Sequence, residues 1–85
     1  MKVSTSYFLR FEKNFGSNGK LIAYDIINGK IFELSSIYHE YIECFKTNCD
    51  FTEYLIEKYN LDKKTAQESC EKIVFNLKKM GVICD

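Results

Sequence analysis

Apolar and polar positions change their period once along the chain. Between Tyr7 and Glu12 the period is two: Tyr7, Leu9 and Phe11 share one face while Arg10 and Glu12 fall on the other, the pattern of a half-buried strand. Residues 14–20, with Gly16 and Gly19, break that pattern and read as a connection. Residues 21–26 and 30–34 are β-rich runs joined around Asn28-Gly29. Asn-Gly is the pair best suited to a tight turn with positive φ at both central residues, so the two runs predict a hairpin.

After Leu34 the period becomes helical. Ser35 or Ser36 can cap a first helix whose Ile37, Tyr38, Tyr41, Ile42, Cys44 and Phe45 form one apolar stripe, ended by Thr47-Asn48. Asp50-Phe51-Thr52-Glu53 opens a second as an Asp variant of the capping box, and Phe51, Tyr54, Leu55 and Tyr59 supply its buried side. Asp62 caps a third, in which Ala66, Cys70, Ile73, Val74, Leu77 and Met80 recur at three and four. Gly81 is its left-handed stop, and Val82 and Ile83 fold back on the last turn. Three strands followed by three helices predict an α+β fold: a winged helix-turn-helix with a three-stranded antiparallel sheet, filling residues 1–85 as a single domain.

Composition narrows what such a domain does. Eighty-five residues leave room for one hydrophobic core, which excludes a multidomain enzyme. Twelve Lys and Arg balance twelve Asp and Glu, so the field that gathers phosphate backbones or anionic lipid is missing, and neither nucleic acid nor membrane is an expected partner. No run approaches a membrane span and the first residues lack a signal-peptide core. A cytoplasmic, free-standing protein is the expectation. The four cysteines, Cys44, Cys49, Cys70 and Cys84, contain no C-x-x-C pair and suit no common zinc pattern. In that compartment they read as reduced thiols, with Cys44 and Cys70 acting as small hydrophobes on helix faces.

Catalytic chemistry is thin. His39 is the single histidine and has no local nucleophile partner; it reads as a solvated helix-surface residue. Neither glycine-bearing loop joins a strand to a helix N-terminus, so both are turns and not phosphate cradles. Glu40 and Glu43, and Glu68 and Glu71, are spaced three apart with Lys46 and Lys72 nearby, as on ordinary solvated helix faces. No catalytic residue, cofactor or metal is expected. What remains is a binding surface. At about 100° per residue Phe75 points nearly opposite the core stripe of its helix, and an exposed Phe forfeits roughly 1.5–3 kcal/mol of burial that a partner recovers, although single exposed apolar residues are common. In Lys30–Ser35, Phe32 and Leu34 turn to the core and Ile31 to the other face. At a sheet edge this strand would accept another strand.

Three stretches together carry a family resemblance: the hairpin Tyr24-Asp25-Ile26-Ile27-Asn28-Gly29-Lys30-Ile31-Phe32-Glu33-Leu34-Ser35, the two helices after it, and Ile73-Val74-Phe75-Asn76-Leu77-Lys78-Lys79-Met80-Gly81-Val82-Ile83. With this order of elements the chain resembles the PqqD-like proteins, or RiPP recognition elements, over about 65 of its residues. Ser35 stands where that family has Asn. The resemblance implies a chaperone that binds the leader of a ribosomally made precursor peptide as an added strand, between the third strand and the third helix. It would deliver the peptide to a modifying enzyme such as a radical-SAM enzyme, a cyclase or a leader peptidase. Carried onto this chain, the peptide-binding residues are Lys30, Ile31, Phe32, Glu33, Leu34 and Ser35 on the strand and Glu68, Glu71, Lys72, Phe75 and Lys79 on the helix.

Two other readings share the fold. A winged-helix DNA-binding regulator would read bases with the same third helix, but Lys63, Lys64, Lys72, Lys78 and Lys79 are offset there by Asp62, Glu68 and Glu71, and that helix contains no Arg to read guanine edges. An enzyme-docking accessory subunit that binds no peptide would use Phe75 equally well.

Overall fold

The computed structural model describes residues 1–84, in the order β1 (Lys2–Val3), β2 (Tyr7–Glu12), β3 (Lys20–Asp25), β4 (Lys30–Ser35), α1 (Ser36–Lys46), α2 (Phe51–Tyr59), α3 (Lys63–Met80) and β5 (Ile83–Cys84). The fold is α+β with three helices, and β2, β3 and β4 form the antiparallel three-stranded sheet in that spatial order. Two further strands were not foreseen. β1 and β5 pair antiparallel, Val3 opposite Ile83, and the Ser4 amide donates to the Val82 carbonyl at 2.7 Å. A two-residue strand has no period to read, and this pair joins the two ends of the chain.

Alternation decides which sheet face is inside. Leu21 and Ala23 are buried beneath α1, which packs on β3 and β4, while α3 packs on α2 and β5. Tyr41, Ile42 and Cys44 of α1, Phe51 and Leu55 of α2, and Ala66, Ile73 and Leu77 of α3 complete the core with Val82 and Ile83. Tyr7, on the same inner face, donates from its hydroxyl to the Met80 carbonyl at 2.8 Å, tying the sheet to the end of α3. Among the described residues no helix is long and apolar enough to cross a membrane.

The helix boundaries follow from local chemistry. Asp50 accepts from the Thr52 and Glu53 amides, Asp62 accepts from the Thr65 amide at 2.7 Å, and Gly81 stops α3 at φ +86°. Ser35 holds the N-cap position of α1 without a side-chain cap bond.

Four expectations need correction. The β3–β4 connection has four residues, 26–29, and Gly29 alone takes positive φ. Asp25 organises it: its carboxylate accepts from the Ile27 and Asn28 amides at 3.1 Å each and from the Asn28 side chain at 2.8 Å. A carboxylate that satisfies first-turn amides favours a longer loop over the two-residue mirror turn. Cys44 and Cys49 are not free thiols but a disulfide, whereas Cys70 and Cys84 are unpaired. Asn48 in the left-handed region reverses the chain after α1, the Cys49 amide donates to the Cys44 carbonyl at 3.0 Å, and the two Cα atoms stand 5.1 Å apart. Tyr59 is exposed rather than core, because its hydroxyl donates to Glu40 at 2.6 Å. His39 is half-buried and stacked on Phe11, ring centroids 4.0 Å apart, not freely solvated.

Candidate functional site

Strand order makes β4 an edge. Among the described residues its one strand partner is β3, from Asp25 opposite Lys30 to Lys20 opposite Ser35, so the other rim of Lys30–Ser35 offers amides and carbonyls that no strand there pairs. Phe32 and Leu34 lie half-buried on the inner face, and Ile31 and Glu33 are exposed on the outer one.

β4 runs directly into α1, and this junction faces the middle of α3. Between them lies a cleft of about 280 Å3 lined by Ser35, Ile37, Tyr38, Ser69, Lys72 and Ile73. Asn76 donates from its side-chain amide to the Tyr38 hydroxyl at 2.8 Å and bridges α3 to α1 beside it. Apolar walls with two serines and one lysine suit an extended segment that presents apolar side chains and a single acid.

Of the residues singled out from the sequence, Ser35 and Lys72 line this cleft. At about 100° per residue, Glu68 and Lys79 border the face of α3 that carries Ser69, Lys72, Ile73 and Asn76. Glu71 and Phe75 turn farther away, by roughly 115–155° from the centre of that face. Phe75 is 64% exposed, as its helical position requires. Lys30, Ile31, Phe32, Glu33 and Leu34 share the edge strand, but Ile31 and Glu33 project from the sheet face opposite α1. Sequence reasoning missed Ile37, Tyr38, Ser69 and Ile73 of the lining, and Asn76 beside it. Ile37 and Tyr38 belong to an apolar stripe and read as core, and no local signal marks which polar residues of α3 meet α1.

Two larger hollows, about 480 and 460 Å3, flank the His39-Glu40 segment of α1. Their polar centre is already satisfied. One oxygen of Glu40 accepts from Tyr54 at 2.6 Å and from Lys58, and the other accepts from Tyr59. Burial pushes the Glu40 carboxyl up, yet hydrogen bonds from Lys58, Tyr54 and Tyr59 outweigh it and hold the group below its ordinary range. The same contact with Glu40 raises Lys58. A carboxylate that accepts three hydrogen bonds from residues of the next helix braces α1 against α2.

No family model, no curated protein and no solved structure matches the chain.

Proposed function

We propose that this chain is a peptide-binding winged helix-turn-helix domain of the PqqD-like kind, which takes up the leader of a ribosomally made precursor peptide and presents it to a modifying enzyme. The observation that carries the reading is the unpaired rim of β4 ending at an apolar cleft between the β4–α1 junction and α3. An added strand would draw affinity from backbone hydrogen bonds along Lys30–Ser35 and selectivity from side chains entering the cleft. Lys72 is the one charged residue in the cleft lining, so an acidic leader residue fits there. Micromolar binding, about −8 kcal/mol, is within reach of several strand hydrogen bonds and one or two buried apolar side chains after ordering costs.

The test is an NMR titration with the leader of the precursor encoded beside this gene. Amide shifts are expected in residues 30–35 and at Ser69, Lys72 and Ile73, and Lys72→Glu should weaken binding roughly tenfold, the cost of one charge-assisted contact. Raising the salt concentration should change affinity little, since the protein is neutral overall. Shifts confined to α1 and α2, or none well above micromolar leader, would defeat peptide binding and favour an enzyme-docking subunit. Salt-sensitive binding to duplex DNA through α3 would favour the regulator.

A further inference from the structure

The sheet has a second face, and it is apolar in a particular order. Register places Phe8 of β2, Tyr24 of β3 and Ile31 of β4 side by side in one row. They are 59%, 39% and 67% exposed, and Ile26, beyond Tyr24 on the same face, is 53% exposed. The next row is Arg10, Ile22 and Glu33: a cation on one flank, an apolar residue in the middle and an anion on the other flank. α1 covers the opposite face, over buried Leu21 and Ala23. Rows of directly paired side chains leaning to one side form a continuous surface, and a contiguous exposed apolar patch with a polar border marks an interaction site.

We infer that this face packs against the same face of a second copy of the chain, about a two-fold axis parallel to β3. The charge order selects this partner and this axis. A rotation about a line parallel to the strands keeps every row at its level and exchanges the flanks, so β2 lies over the second copy's β4. Arg10 then meets Glu33 of the second copy, and Glu33 meets its Arg10. Phe8 meets Ile31, while Tyr24, Ile22 and Ile26 meet their own counterparts on the axis. A two-fold axis across the strands, centred on the Ile22 row, would instead lay the Phe8–Tyr24–Ile31 row over Glu12, Lys20 and Ser35 and leave both charges unanswered. Lys20, the one cation on the axis, is drawn aside with its Nζ 5.8 Å from the Phe15 ring centroid. The Arg10 side chain pairs with Glu12 and stays 68% exposed, and a guanidinium has donors for both acids. Facing sheets pack about 10 Å apart with strands crossing at about 30°.

The size of the face sets the strength. Three strands of six residues span roughly 14 by 20 Å, below the approximately 800 Å2 per partner of a standard interface. The dimer is therefore a weak one, forming in the micromolar range and above, and it leaves the β4 rim and the α3 cleft open.

The experiment is sedimentation velocity on the full chain carrying Cys84→Ser, which removes accidental cross-linking, from about 5 µM to about 500 µM. The expected result is a concentration-dependent rise from the 10.0 kDa monomer towards twice that mass. Tyr24→Lys, which sets two like charges together on the axis, should abolish the rise, with a dispersed NMR spectrum showing that the variant is folded. Arg10→Glu alone and Glu33→Arg alone should each weaken association about tenfold or more. An equimolar mixture of these two should restore it, because each then presents the charge that the other lacks. A monomer at the highest concentration would overturn the inference. So would a dimer indifferent to Tyr24→Lys, or a mixture that associates no better than its components, which would point to pairing through the β4 edge. None of these outcomes depends on peptide binding.

Discussion

Gly19 and Gly29 form a matched pair that separates backbone strain from steric exclusion. Both hold positive φ, +82° and +70°. An Ala at either site incurs about 1–2 kcal/mol for the left-handed conformation, offset by about 0.4–1 kcal/mol from stiffening the unfolded chain. At Gly29 nothing lies within 4 Å of an added Cβ, so Gly29→Ala should cost only about 1 kcal/mol, with Gly29→Val costing more because a β-branched residue tolerates positive φ worse. At Gly19 the Cβ would stand 2.7 Å from Phe11 Cζ, 2.9 Å from Lys13 Cα and 3.0 Å from the Glu12 carbonyl oxygen. The Phe11 ring can turn aside, but the Glu12 carbonyl belongs to the last residue of β2, which pairs with Lys20, and Lys13 follows it directly in the chain. Moving them strains that pairing, and forced overpacking typically adds about 1–3 kcal/mol. Gly19→Ala should therefore lose about 2–4 kcal/mol in all, a large share of the roughly 4–13 kcal/mol available to a domain of this size. Urea denaturation followed by helix circular dichroism measures both variants, and unchanged m-values would show that the compared states are the same. Removing the ring in a Gly19→Ala, Phe11→Leu double variant should recover only part of the loss. A Gly19→Ala midpoint at or above that of Gly29→Ala would refute the close-approach argument.

Leu77→Ala, at a fully buried position in α3, should cost about 2–5 kcal/mol in the same assay, whereas Phe75→Ser should leave the midpoint within about 0.5 kcal/mol. Glu40, Asp25 and Asp62 all titrate below their ordinary values: as pH falls past 4.5 and then 3.8 the unfolded chain takes up protons first, so stability present above these values is lost progressively. A denaturation midpoint measured against pH should be level above about pH 5.5 and fall below it, less steeply in Glu40→Gln; an unchanged slope in that variant would argue against the brace. A thiol reagent should modify exposed Cys84 first and Cys70, whose thiol burial pushes up, slowly. Cys44 and Cys49 should react only after reduction, which should cost roughly 2 kcal/mol for so short a loop; immediate labelling of all four would contradict the disulfide.

The sequence by itself determined what depends on neighbours in the chain. The change of period from two to helical after Leu34, the Asp50 and Asp62 caps, the Gly81 stop and the exposure of Phe75 are all satisfied within a few residues, so local preference and burial pattern agree on one outcome. Tertiary structure decided whatever joins distant segments. β1 and β5 are too short to carry a pattern, and Val3 finds Ile83 only when α3 returns the chain to its start. The outward turn of Tyr59 depends on Glu40, nineteen residues earlier, and the Cys44–Cys49 bond depends on the reversal at Asn48. The same holds for the binding surfaces. Alternation shows that Ile31 and Phe32 point oppositely, but only strand order makes β4 an edge and aligns Phe8, Tyr24 and Ile31 in one row. An amphipathic stripe permits several nearby rotations of α3 at similar local energy. Packing against α2 and the bond from Asn76 to Tyr38 select the one that turns Ser69 and Lys72 towards α1 and leaves Glu71 and Phe75 in solvent.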